Sequence, residues 1–234
     1  MKFMFGLPSA TGWFDTHVTS SILNQLAFVV EGKHGILNSL VHHTLIHNAR
    51  NQIAMAAINK ECDYLFFVDS DCVLPVDALK RLYEHDKDVV AGMYFGKVSP
   101  FPPIVYQKTP EGLYRHLTDY PENSLVEVDG VGMGCCLIKT EVLKHFVFDK
   151  ELKYADGKNE FVKESFGFEP IMSPDENRVS IGEDLSFCKR CQDLGYKIYV
   201  DTGVQCEHQT VRYINEQYFK ETKKRMEAAE QGGF

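Results

Sequence analysis

The chain has 234 residues, 44% of them hydrophobic and 25% charged, with a formal net charge of -8. That length suits one α/β domain with a sizeable core, and the composition is ordinary for a soluble globular protein. The acidic balance argues against a surface built for duplex nucleic acid, where affinity rests on phosphate neutralisation, and no apolar run is long enough to span a bilayer.

The opening MKFMFGLPSATGW is interrupted by Pro8 and polar residues after few apolar positions, so it does not read as a signal peptide. Seven cysteines, an odd number, are scattered through strand-like and helix-like stretches and form no disulfide framework. Reduced thiols in a cytoplasmic protein with no stable membrane insertion are the expectation.

In chain order, MKFMFGLP reads as a first strand. DTHVTSSILNQL reads as a helix with Asp15 as its N-cap. FVVEG reads as a short second strand, and LVHHTLIHNARNQIAMAAINK as a long helix with Leu45, Ile46, Ile53, Ala54 and Ala57 on one apolar face. DYLFFVDSD is a continuous apolar strand of the kind covered by helices on both sheet faces. PVDALKRLYEH is a helix with proline in its first turn, and DVVAGMYF a strand.

From residue 97 onward the pattern changes. SPFPPIVYQKTPEGLYRHLTDYPENS mixes turn formers with short strand-like pieces. LVEVDGVGMGCCLIK is a strand interrupted by glycines, followed by the helix TEVLKHF. Residues 149 to 181 show little periodicity and read as a binding loop or lid. GEDLSFCKRCQDLG is a helix, YKIYVDTGVQCEH a strand, NEQYFKETKKRMEAAE a polar terminal helix, and QGGF a frayed tail. Alternating strands and helices predict an α/β fold with an open, mostly parallel sheet flanked by helices, in a single domain. Ligands of such sheets bind at the carboxyl ends of the strands, where Asp69-Ser70-Asp71 lies.

An apolar strand ending in D-x-D fits two families. VDSDCVL resembles the first motif of haloacid-dehalogenase-like phosphatases, in which Asp69 would be the nucleophile. In that family the motif sits on the first strand, and GEDLSFCK lacks the spacing of the later acidic pair. Over roughly residues 1 to 210 the chain more closely resembles the GT-A glycosyltransferases, especially glycosyltransferase family 2. The likeness rests on HNARNQIAMAAI, FVDSDCVLP, VDGVGMGCCLIKTEVL, IGEDLSFCKRCQDLGYKIYVD and CEH, in the expected order. A catalytically silent nucleotide-sugar-binding module is the third reading, disfavoured by the intact acidic motifs.

The resemblance implies a metal-dependent transfer of a sugar from a nucleotide-diphosphate sugar, UDP- or GDP-linked, to an acceptor hydroxyl. Residues 1–96 would form the nucleotide-sugar half and 97–210 the acceptor half, with 211–234 a C-terminal helix and tail. Mn²⁺ or Mg²⁺ would be held by Asp71 directly, by His208 through nitrogen, and by Asp69 through water unless Asp69 contacts the ribose. Pro8, Ser9, Ser70 and Arg50 would line the donor site, and Glu31 would accept a hydrogen bond from the base. Asp184 would be the general base of an inverting displacement, at a helix start whose dipole favours its ionised form. Glu183, Asp129, Gly132 and Lys97 would face the transferred sugar or the acceptor, Lys97 standing where many relatives carry arginine. The acceptor is expected among glycans, lipid-linked sugars, proteins and modified nucleobases.

GVGMG is continued by the strand CCLIK with no helix opening on it, which argues against a dinucleotide site. The glycines are expected to let backbone pass close to the sugar. Cys188, Cys191, Cys206 and His208 form the lesser reading of a zinc site, against core packing. Phe101, Tyr106, Tyr114, Phe166 and Phe168 are candidate sugar-stacking aromatics.

Overall fold

The structure, a computed structural model, describes residues 1–153, 159–174, 178–210 and 216. The expected terminal helix and tail lie almost entirely outside the described residues.

The sheet is built on buried apolar segments. Strands β1 (Lys2–Ser9), β2 (Gly35–His42), β3 (Tyr64–Val68), β5 (Val89–Met93), β8 (Leu125–Val128), β10 (Cys135–Lys139) and β15 (Ile198–Gln205) join in the order β2-β1-β3-β10-β5-β15-β8. Strands β2, β1, β3, β5 and β15 run one way, while β10 and β8 are reversed. Alternation along each strand splits the core between the two faces. Met4, Leu65, Phe67, Val89 and Ala91 face one side, and Phe3, Phe5, Phe66, Val68 and Val90 the other. Helices α3 (Ile46–Asn59), α5 (Thr140–Lys144) and α6 (Glu183–Asp193) cover the first face through Ile53, Ala57, Val142, Leu143 and Phe187. Helices α2 (Leu26–Glu31) and α4 (Ala78–Glu84) cover the second through Val29, Leu79 and Leu82. This is the single-domain, mostly parallel α/β architecture expected.

Smaller elements complete the chain. Helix α1 (Thr16–Asn24) starts at the expected cap, where the Asp15 side chain accepts from His17 N at 2.7 Å. β4 (Cys72–Val73) pairs with β16 (Glu207–His208), and β6 (Val105–Lys108) with β7 (Tyr114–His116) and β9 (Gly130–Val131).

Three expectations are corrected. FVVEG is not a strand: residues Leu26–Glu31 are helical, because Phe28 and Val29 pack against Phe3 and Tyr83 under β1. The second strand is GILNSLVH, so LVH belongs to the sheet and the long helix begins at Ile46. The stretch 149–181 is not loop or lid throughout. It holds a hairpin of β11 (Val147–Lys153) and β12 (Asn159–Ser165) and another of β13 (Ile171–Met172) and β14 (Val179–Ile181).

Candidate active site

The carboxyl ends of β1, β3, β5 and β15, with the start of the reversed β10, make one edge of the sheet. After β3 the chain turns at once: Cys72 N donates to Asp69 O at 3.1 Å, with Ser70 half-buried on the turn. Asp69 N donates to Gly134 O at 3.1 Å, which fixes the turn to the segment leading into β10.

The turn sends the two carboxylates to different partners. Asp69 meets Arg50, whose Nη1 and Nη2 donate to its two oxygens at 3.0 and 3.3 Å. Arg50, on the second turn of α3, is only 2% exposed and lies over the Phe67 ring. Its Nε stands 3.2 Å from Asp184 Oδ1, an ion pair without hydrogen-bond geometry that leaves both atoms lacking a hydrogen-bond partner. Burial alone would lower the guanidinium's pKa, but Asp184 and Asp69 outweigh it and raise it further. Arg50 therefore faces inward between two carboxylates, its charge engaged by Asp69 and Asp184.

Asp184 opens α6 and accepts from Met133 N at 3.1 Å. Its side chain is 23% exposed although Oδ1 is buried. Burial raises this carboxyl most, Arg50 pulls it down, Glu183 and Asp69 push it up, and it comes to rest at about 7. Glu183, beside it in the first turn of α6, is half-buried.

Asp71 points the other way and is 41% exposed. It pairs with Lys97 and lies 3.5 Å from His208 Nε2. The pairing of β4 with β16 brings the histidine there, setting His208 opposite Cys72. His208 Nδ1 is 2.7 Å from the Phe95 carbonyl, which can only accept, so Nδ1 carries the proton. In the neutral ring, Nε2 then presents a lone pair towards Asp71. Burial would raise the Asp71 carboxyl, but the protonated form of His208, donating through Nε2, and Lys97 outweigh it and hold it down at about 2.

Tyr94 stands at the centre of this edge and was assigned no role from sequence. It is 5% exposed, crosses the His208 ring edge-on at 5.2 Å, and its hydroxyl accepts from Gly134 N at 3.2 Å. A Cβ on Gly132 would lie 1.9 Å from that hydroxyl, and one on Gly134 3.0 Å from the ring. Gly132 and Gly134 thus leave room for the Tyr94 ring and hydroxyl, and Gly132 is buried. The aromatic pair following β5 was the available signal for Tyr94.

Pro8 and Ser9 lie buried at the end of β1, and Ser9 Oγ donates to Trp13 O and accepts from Gly12 N. Glu31 is not brought to the site. It ends α2 just before β2 begins beside Met1, at the opposite edge of the sheet. The residues that close β2 at the functional edge are His42 and His43 instead. Asp129 is also elsewhere, because its two oxygens accept from Lys108 N and from Gln192 near the far end of α6. Cys188 and Cys191 are buried on α6, whereas Cys206 contacts Cys72 and Cys135, so the zinc set is dispersed. Phe168 stacks on Phe187 at 4.4 Å within the core, and Phe166 packs on Phe146 and Phe148. Phe101 alone of the expected aromatics lines a cavity beside Lys97 and His208.

No protein-family model matches the chain, and no curated protein does. Among solved structures it is similar to A197 from STIV, with 20% identity and a TM-score of 0.51 over 90% of this chain and 87% of that one. It is also similar to GalNAc-T7, solved with UDP, GalNAc and Mn²⁺, with 9% identity and a TM-score of 0.49. That match covers 89% of this chain and 44% of the other, so the chain spans less than half of it. At these identities the likeness to A197 concerns the fold alone.

Proposed function

We propose that the chain is a metal-dependent, inverting glycosyltransferase of the family 2 kind, transferring a sugar from a UDP- or GDP-sugar to an acceptor hydroxyl. One observation carries this reading. A solvent-facing carboxylate beside an imidazole, Asp71 with His208, shares a sheet edge with a half-buried carboxyl poised near neutrality, Asp184.

The residues fit a divalent cation. With His208 neutral, its Nε2 lone pair and the Asp71 carboxylate face each other across 3.5 Å, an arrangement that a positive centre between them relieves. The hydrogen bond from Nδ1 to Phe95 orients the ring as outer partners of metal-bound histidines do. Among the described residues no group of three or more His, Cys, Asp or Glu could hold a metal, so the remaining ligands would be diphosphate oxygens and water. Mn²⁺ or Mg²⁺ bound there would neutralise charge on the departing diphosphate.

The chain's own groups would do the rest. Asp184, with a pKa near 7, accepts the acceptor's hydroxyl proton as the oxygen attacks the anomeric carbon. Arg50 neutralises Asp69 and keeps Asp184 from rising further. Tyr94 and Gly134 hold the D-x-D turn against β10, and Glu183 and Lys97 border the space left for sugar and phosphate. The phosphatase alternative is disfavoured by the guanidinium that engages both oxygens of Asp69, the would-be nucleophile.

The test is thermal unfolding with UDP, GDP and their sugars, with and without Mn²⁺. Stabilisation by a diphosphate only with metal is expected. Stabilisation by fluoroberyllate with no response to any nucleoside diphosphate would replace this reading with the phosphatase.

A further inference from the structure

Lys97 occupies an unusual position for a residue beside a metal ligand. It lies on a short loop after β5, closed by Gly96 N donating to Pro102 O at 2.8 Å and by Phe101 N donating to Val98 O at 2.8 Å. The loop therefore holds the lysine backbone in place while the side chain stays 33% exposed. Its ammonium sits on Asp71 Oδ2, while His208 Nε2 approaches Oδ1. Without other cations, Asp71 is thus partnered already.

The same side chain stands between two cavities. One, of about 490 Å³, is lined by Phe95, Phe101, Cys206 and His208, and the other, of about 560 Å³, by Asp15, Asp71 and Gln209. Lys97 and Thr210 line both. A lysine stem has four rotatable carbons, so the ammonium can leave Asp71 and reach a neighbouring anion without any backbone change.

Resting on the metal-dependent reading above, we propose that Lys97 is a resident counter-ion that a metal-bound diphosphate displaces. The lysine blocks Asp71 to a bare dication. When metal arrives with a diphosphate, the ammonium transfers from the carboxylate to a phosphate oxygen, so its own charge stays paired. Metal and diphosphate consequently bind together and not in turn, and Lys97 sets that coupling.

Mn²⁺ binding followed by the electron spin resonance of the free ion tests this, with MnCl₂ alone and with UDP or GDP added. The native chain should take up little Mn²⁺ without nucleotide. Lys97→Met should bind Mn²⁺ alone on the order of tenfold tighter, from the loss of a like charge about 5 Å away in a largely solvated setting. It should also lose affinity for the nucleotide in the presence of Mn²⁺. Lys97→Arg, which keeps the cation, should follow the native chain. Equal uptake of Mn²⁺ alone by the native chain and Lys97→Met overturns the proposal, and Asp71→Asn separates the two ideas. If Asp71→Asn abolishes nucleotide-dependent uptake while Lys97→Met changes nothing, the metal reading stands and Lys97 is passive. If Asp71→Asn takes up Mn²⁺ with nucleotide like the native chain, the metal reading itself falls.

Discussion

Replacing Asp184 with asparagine should change how stability depends on pH, and the sign of the change decides what Asp184 is. Two influences compete on this carboxyl. Burial favours the neutral form, while Arg50 at 3.2 Å favours the anion. With burial ahead, the folded pKa is about 7 against an ordinary 3.8. Between those values the folded state binds a proton that the unfolded state has released, so raising the pH favours unfolding. A shift of roughly three pH units at about 1.4 kcal/mol each sets a ceiling of about 4 kcal/mol. Because 23% of the side chain is exposed, about 2–4 kcal/mol is the working expectation. The assay is urea unfolding of both chains at intervals from pH 4 to 8, with the free energies subtracted so that titrating groups distant from Asp184 cancel. The native chain should lose about 2–4 kcal/mol relative to Asp184→Asn over that span. A difference that instead grows in the native chain's favour as pH rises would mean that Arg50 wins. Asp184 would then be a fixed anion, too weak a base for the proposed step.

The same titration should govern turnover: kcat/KM should rise with pH and level off above about 7, and a flat profile from pH 5 to 8 would remove Asp184 from proton transfer. Arg50→Met should cost about 3–5 kcal/mol in unfolding experiments, because it strands two carboxylates around a buried gap, and a loss below 1 kcal/mol would show that the pair is solvated. Gly132→Ala should cost about 1–3 kcal/mol by driving a methyl into the Tyr94 hydroxyl, measured as a lower melting temperature; an unchanged melting temperature would show that Tyr94 moves freely. Product anomers read by NMR should be inverted relative to the donor, and retained configuration would require a nucleophile that Asp184 does not supply.

Much of this fold could be read from the sequence because burial and periodicity agreed. YLFFV is a fully buried strand, and Ile53, Ala54 and Ala57 give α3 its inner face. The failures came where they disagreed. β2 is an edge strand whose residues are half-buried or exposed, so GILNSLVH lacks a strong apolar signature. LAFVVE has the β-branched content of a strand, yet tertiary packing overrides that propensity. Gln25, 1% exposed, anchors the segment by donating to Pro75 O and accepting from Leu79 N. The misreading of α2 moved the expected base-binding residue to Glu31, at the wrong edge of the sheet. At the site, the acidic residues and His208 were visible by type and order. What joins them was not, because the link from Arg50 to Asp184 and that from Cys72 to His208 each span more than a hundred residues of chain.

Those links explain why two carboxylates can sit one residue apart. In a straight strand, residues two apart share a face, and Asp69 and Asp71 would repel each other across it. The turn that follows Val68 breaks that geometry and divides the charges. Asp69 goes inward, where a guanidinium it shares with Asp184 neutralises it permanently. Asp71 goes outward, balanced by a flexible lysine, with His208 Nε2 facing it at 3.5 Å. Only the second carboxylate has partners that can be exchanged. A cation entering this edge would meet an acid already spent at Asp69 and, at Asp71, one whose lysine partner can be exchanged, so the chemistry of the pair is set by Arg50 as much as by either aspartate.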